Sequence, residues 1–364
     1  MQKALRITEL SAQGFRNLAP LSFVPGPRFN VLYGDNAAGK SSLLEAIDYT
    51  ATLKSFRGAR TDDLIQDGSA HSHVRVRVAG PVVPRVFEWH LHRDAARDLS
   101  IDGKRPRSIA SWHASLQVVL FQPGDLELAA GGPEPRRAWM DRMLMHMDPA
   151  YAAALTTYTR ALRNRNKLLR AEKPDRRAIG AFDELLVTSG VVIGMTRARL
   201  LEDVSPLTAN AFVQICGEGA TLRVDYRPRV IPEMDVIRAA LASSLDKDLA
   251  RGFTAEGPHA DDVSLHVDAS LARHHASQGQ HRAIVLALKV AELSVLGRRT
   301  GHTPVLLLDD VSSELDRGRN RRFFALLSEL GGQVFLSTTH REFILLDTDR
   351  TEFRVENGVI HSET

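Results

Sequence analysis

The sequence predicts an α/β protein: a head built around a phosphate-binding loop, with a mixed or antiparallel β-subdomain, a helical lobe and no long coiled coil. Three observations carry this. Residues 34–41 read Gly-Asp-Asn-Ala-Ala-Gly-Lys-Ser, the G-x-x-x-x-G-K-S spacing, between an apolar strand and an amphipathic helix. Residues 1 to about 125 read mostly as strand, residues 134–204 as helix, and beyond 277 helix and strand alternate. No heptad array is sustained and no internal repeat occurs.

In chain order, NVLY (30–33), VRVRVA (74–79), RVFEWHLH (85–92) and LQVVLF (116–121) are rich in Val, Phe and Leu, two of them alternating with period two. Turns at Gly80-Pro81 and Asp102-Gly103 suggest an antiparallel meander. Two further strands are expected at TLRVDY (221–226) and VSLHV (263–267), and two buried ones at PVLLLD (304–309) and QVFLS (333–337). The expected organisation is a head from residues 1–132 and 256–364 and a mainly helical lobe from 133–255.

With 364 residues, 43% hydrophobic and 25% charged, the chain can bury one or two cores. Apolar runs such as Val305–Leu308 are too short to span a bilayer, and the first fifteen residues hold no long apolar stretch. A cytoplasmic protein without a membrane partner is therefore expected. The single cysteine, Cys216, excludes an internal disulfide and a paired-cysteine zinc site. Net charge is only +3, yet residues 134–200 hold thirteen Lys/Arg against seven Asp/Glu, so positive charge is concentrated there.

The glycines of residues 34–39 let backbone N–H groups turn inward onto phosphate oxygens, and the following helix adds the positive end of its dipole. Gly34, Asp35, Asn36, Ala37, Ala38, Gly39, Lys40, Ser41 and Ser42 are the candidate nucleotide-binding residues. Lys40 should reach the β- and γ-phosphates and Ser41 should ligate Mg²⁺. The buried strand LLLDD ends in two carboxylates: Asp309 is the expected second Mg²⁺ ligand, and Asp310 could orient or deprotonate the attacking water. Paired acids after a strand also serve as helix caps. His340, after the next strand, reads as a structural histidine or a γ-phosphate sensor. Ser277-Gln278-Gly279-Gln280 opens an apolar helix, either as an ordinary cap or as an anion site.

The order phosphate loop, SQGQ, LLLDD, SSELD, STTH resembles the ABC/SMC-type ATPase family. Within it, GFRNL (14–18), SFRG (55–58), GGPEPRRAWMDRML (131–144), GPHADD (257–262) and SQGQHR (277–282) are similar, in order, to the bacterial recombination-mediator branch. The resemblance implies two heads sandwiching ATP, with Ser277 and Gly279 of one chain capping the γ-phosphate held by the other. It further implies a place near the phosphates for Arg16, a Mg²⁺-sensing role for Gln122, and for Asp316 a loop that crosses to the opposite subunit. The implied activity is weak, DNA-stimulated ATP hydrolysis. The implied setting is repair at gaps and double-/single-strand junctions with RecO and RecR, aiding RecA loading and the SOS response. Two departures stand out. Asp310 replaces the glutamate usual in transporter relatives, which fits slow hydrolysis, and Ala260 replaces the arginine expected in GPHADD.

On a helical wheel, Tyr151, Leu155, Tyr158, Leu162 and Leu169 share one face. Arg160, Arg163, Lys167 and Arg170 form a separate basic stripe that excludes Arg165, suited to successive DNA phosphates or to a solvated face. Lys54, Arg57 and Arg60 lie close to the nucleotide helix and could couple DNA to ATP. An ABC transporter subunit fits less well, given the long basic insertion. An SMC-like or break-repair head would need heptad arms, and a P-loop kinase would not need the SQGQ, SSELD or STTH motifs.

Overall fold

The computed structural model describes residues 3–80, 83–113, 115–310, 316–346 and 349–363. These divide into two compact units, one of residues 1–125, 210–220 and 277–364, the other of residues 126–209 and 221–276. Compared with the expected boundaries, 126–132 and 256–276 group with the helical unit and 210–220 with the head.

The head is organised by a six-stranded sheet ordered Val359–Glu363, Arg350–Glu356, Phe29–Tyr33, Val334–Thr338, Val305–Asp309, Val118–Phe121. All pairs are parallel except the terminal hairpin. The central strands are buried almost throughout because both faces are covered. A second, antiparallel sheet runs Leu21–Phe23, Arg6–Gln13, His71–Ala79, Arg85–His92, Asp98–Ile101. The meander expected around residues 74–92 is there, but residues 118–121 belong to the parallel sheet beside Val305–Asp309. Their burial on both faces is why they lack alternation. Arg6–Gln13 and the hairpin Arg350–Glu356/Val359–Glu363 are further strands beyond those expected from the sequence.

The helix Lys40–Thr52 is buried along nearly its whole length, in the core that also takes side chains from both sheets. Trp89 donates to Thr50 Oγ1 at 2.9 Å and Trp112 to the Thr50 carbonyl at 2.7 Å, so two indoles that fill this core also satisfy their N–H groups.

The second unit holds the helices Pro133–Met147, Pro149–Leu169 and Met234–Arg251, most of Arg176–Cys216, and a sheet ordered Ser270–Leu271, Asp262–Val267, Leu222–Arg227. Arg176–Cys216 is long and apolar enough to cross a membrane, with mean hydropathy 1.5 over 18 residues, a stretch the sequence reading did not single out. Its apolar side chains Leu186, Val187, Ile193 and Val204 are buried, and its Arg197 is ion-paired to Asp141 and Asp261 at 2.8 and 2.9 Å. Leu185, Val192 and Met195 of the same helix are exposed, so core packing accounts for only part of that composition.

Candidate nucleotide site

The strand Phe29–Tyr33 ends at Gly34, where φ is +148° and a Cβ would stand 2.2 Å from the Val355 carbonyl oxygen. Only glycine fits there. Gly39, at φ +115°, opens the helix Lys40–Thr52 and has no side chain to cap it, so the first N–H groups are left facing a cleft. The loop is held from outside. Asn17 donates to the Ala37 carbonyl and accepts from Ser42, both at 2.7 Å, and the Gly358 N–H reaches the Ala38 carbonyl at 2.8 Å. An anion site of this kind is pre-formed by backbone rather than assembled on demand.

A cleft of about 520 Å³ lies over this loop, lined by Asn36–Ser42 together with Arg16, Arg57, Asp309, Asp310 and Ser337. Lys40 Nζ donates to the Gly34 and Asp35 carbonyls at 2.6 and 2.7 Å. Burial pulls its pKa below the ordinary lysine value, against the opposing pull of Asp310, Asp309 and Asp35. Ser41 Oγ donates to Asp309 Oδ1 at 2.8 Å, and Ser337 Oγ donates to the same oxygen at 2.5 Å. Ser337 also accepts from the Asp310 N–H at 3.0 Å. Asp310 has φ +51°, a left-handed backbone uncommon outside glycine and typical of functional turns. The loop Gly34–Ser42 and the carboxylates of the LLLDD strand, far apart in sequence, therefore meet at one place. Ser337 was not anticipated; its signal was its register opposite Asp309 on the neighbouring strand.

Arg16 lines the cleft, but its guanidinium is bidentate to Glu45 at 2.8 Å through Nε and Nη2, and its Nη1 donates to the Asp63 carbonyl. Glu45, fully buried, also accepts from Ser55 at 2.5 Å, and Ser55 Oγ accepts the Arg57 N–H. Arg57 thereby sits in the cleft as well as in the basic segment, whereas Lys54 and Arg60 are exposed and outside its lining. In sequence Glu45 looks like one more helix acid, and nothing local marks it out.

Other expected residues fall elsewhere. Gln122 does not line the cleft, although its neighbour Pro123 does. Its N–H bonds Asp125, which faces the buried Lys289 of the helix Gln278–Thr300 at 3.5 Å. His340 is exposed, 3.3 Å from Glu342 and against Phe343, and does not line the cleft; Thr339 does. Ser277 caps the helix Gln278–Thr300 in a reciprocal box with Gln280, at 3.2 and 2.8 Å. Neither it nor Gly279 lines the cleft. Asp316 caps the helix Arg317–Leu330, and the SSEL stretch before it lies outside the described residues.

A phosphate loop on a parallel sheet, a carboxylate pair on the next strand but one, and a separate polar-capped helix define an ABC-type ATPase head. The chain matches the RecF/RecN/SMC N-terminal domain family over residues 6–359. It belongs to the RecF family. A DNA replication and repair protein RecF from Anaeromyxobacter sp. (strain Fw109-5) is 40% identical, covering 98% of this chain and 99% of that one. The RecF of Myxococcus xanthus (strain DK1622) is 37% identical over 92% and 91%. A structure of the recombination mediator RecF with ATPrS, of the RecFOR pathway, superposes with a TM-score of 0.90 at 30% identity over 100% and 99%. The Smc head of Pyrococcus furiosus, at 16% identity and a TM-score of 0.61 over 99% and 96%, shares the fold.

Proposed function

We propose that this protein is an ATP-gated DNA-binding ATPase of recombinational repair, active as a homodimer that closes on DNA when ATP binds and opens after slow hydrolysis. One observation carries the reading. The capped opening of the helix Gln278–Thr300 presents Ser277 and Gly279 away from the cleft lined by Asn36–Ser42, which suits them to complete the cleft of a second copy. The structural relatives bound to ATP and ATPrS support ATP as the nucleotide. Ser41 and Asp309 offer hard oxygen donors 2.8 Å apart, a pairing suited to Mg²⁺. Asp310 stands beside them as the residue to orient the attacking water, and its short side chain fits slow turnover.

DNA would lie along Arg160, Arg163, Lys167 and Arg170, all exposed on the helix Pro149–Leu169 and its cap. By kinship with recombination mediators, the cytoplasmic partners are RecO and RecR, and the outcome is RecA loading at gapped DNA and support of the SOS response. The test is sedimentation with ATP combined with retention on labelled gapped DNA across a salt series. Wild type should dimerise with ATP and bind salt-sensitively. Ser277→Arg should stay monomeric while still binding ATP, and Lys40→Met should lose ATP itself. Equal DNA affinity with and without ATP would overturn the coupling.

A further inference from the structure

The outer face of the antiparallel sheet carries an unusual set of side chains. Along His71–Ala79 and Arg85–His92, Val74, Val76, Phe87, Trp89 and Leu91 point into the core with no exposed surface. The alternate positions therefore all face outward. On that face His73 stands directly opposite His90 in the ladder, and Glu88 lies two residues from His90 on the same strand. Glu88 has Arg75 opposite it, yet its Oε1 lies 2.7 Å from His73 Nε2, and Arg75 makes no ion pair among the described residues. The two imidazoles stack with centroids 4.2 Å apart and planes 10° from parallel.

We propose that His73, Glu88 and His90 form a binding site for a borderline divalent transition-metal ion of the zinc type, separate from the nucleotide cleft. The ligand atoms of the three lie within 4.8 Å of one another. Tetrahedral zinc places its donors about 3.3 Å apart, at bond lengths of about 2.0–2.2 Å, so the stacked rings must swing out of parallel for both lone pairs to meet the ion. Directly opposed strand positions hold side chains at the spacing such a pair needs. Two imidazoles and one carboxylate favour Zn²⁺, Ni²⁺ or Cu²⁺ over Mg²⁺ and Ca²⁺, which demand oxygen. His92, paired with Asp98 at 3.2 Å on the next position of the same face, borders the site. All three ligands are half-buried, which restrains their rotamers while leaving solvent to fill the remaining coordination position.

The full-length protein, stripped with chelator and dialysed against buffered Zn²⁺, should retain one ion per chain by elemental analysis, and micromolar Zn²⁺ should raise its melting temperature. His73→Ala and His90→Ala should each weaken Zn²⁺ at least tenfold and abolish the thermal shift. Glu88→Gln keeps the shape of the site while removing its charge, and should weaken Zn²⁺ in the same direction. Lys40→Met and Cys216→Ser should bind Zn²⁺ as wild type does. Retention unchanged in all three ligand variants, or no retention by wild type at micromolar free Zn²⁺, would overturn the site.

Discussion

The guanidinium of Arg319 lies on Gly279: a Cβ added to that glycine would stand 2.4 Å from Arg319 Nη1. Arg319 is tethered in turn to Asp316 at 3.4 Å, and Asp316 accepts the Gly318 and Arg319 N–H groups at 3.0 Å. Hydrogen bonding from the Arg319 backbone is the main reason the Asp316 carboxyl sits below the usual aspartate range. The opening of one helix and the cap of another thus share an arginine. Gly279→Ala should displace only the flexible tip of Arg319 and add helix propensity. Calorimetry should show stability unchanged or raised by less than about 1 kcal/mol. If this surface closes on a second protomer, sedimentation should show ATP-dependent pairing weakened at least tenfold in the same variant.

Ser337→Ala tests the carboxylate that the sequence could name but not explain. Asp309 would lose its 2.5 Å partner and keep Ser41, while the Asp310 N–H would lose its acceptor. Losing a hydrogen bond of this kind costs about 0.5–1.5 kcal/mol. ATP affinity, set largely by the loop and Lys40, should change by less than a factor of three, and turnover should fall at least tenfold. An equal loss in both would place Ser337 in binding rather than in the carboxylate's positioning.

Much of this site was legible because its chemistry is local. Residues 34–41 form one loop, and Asp309-Asp310 end one strand, so spacing alone exposes them. What stayed hidden depends on sheet order. Ser337 matters because its strand lies beside Val305–Asp309, and Glu45 because Arg16 and Ser55 converge on it from elsewhere in the chain. Residues 118–121 were read as part of the meander because a strand buried on both faces carries no period to reveal its partners. His340 follows the strand next to Asp309, yet the backbone beyond Thr338 turns its side chain towards Glu342 and outside the cleft lining.

Glu45→Gln should be severe for a residue with no catalytic atom in reach of its role. Its carboxylate is fully buried and holds Nε and Nη2 of Arg16, whose side chain is 18% exposed. Breaking a buried pair by neutralising one partner costs about 3–5 kcal/mol, less here for the partial exposure of Arg16. A fall of several degrees in melting temperature is expected. Ser55→Ala, which keeps the ion pair, should show less than half of it.

The cations of the helical unit separate into two kinds, and mutation should tell them apart. Arg165 is fully buried, bonded to Asp183 at 2.6 Å and to Asp248 at 2.8 Å, and Asp248 has no exposed surface either. Arg165→Ala would leave that carboxylate without its cation, with Ser244 and the Ala255 N–H as its remaining donors, and should destabilise by about 3–5 kcal/mol. Arg160, Arg163 and Lys167 are exposed and make no ion pair among the described residues. Replacing all three with alanine should leave the melting temperature within about 2 °C. On duplex DNA it should flatten the slope of log affinity against log salt by up to about 2.7, at roughly 0.9 per phosphate contact. An unchanged slope would make the stripe a solvated face.

His259 gives the helical unit a dependence on pH whose sign can be worked out. Its Nε2 lies 2.9 Å from the Thr254 carbonyl oxygen, an acceptor, so that nitrogen carries the proton. Nδ1, 2.7 Å from the Tyr158 hydroxyl, is left as the acceptor of a neutral ring. Burial is the largest cause holding its pKa below the ordinary value of 6.5, aided by Arg137 and opposed by the Thr254 carbonyl, Asp261 and Asp248. Above 6.5 the ring is neutral in both folded and unfolded chains and contributes no slope. As pH falls below 6.5 the unfolded chain takes up a proton that the folded one resists, so stability declines until the depressed folded value is passed. One such proton contributes at most about 1.4 kcal/mol per pH unit. Urea unfolding at pH 7.5 and 5.5 should therefore show wild type weaker at the lower pH. His259→Asn, which cannot ionise, should lose part of that difference although it starts from a lower stability. A pH dependence identical in the two proteins would mean that His259 takes up its proton equally in the folded and unfolded chains, and that burial does not hold the ring neutral.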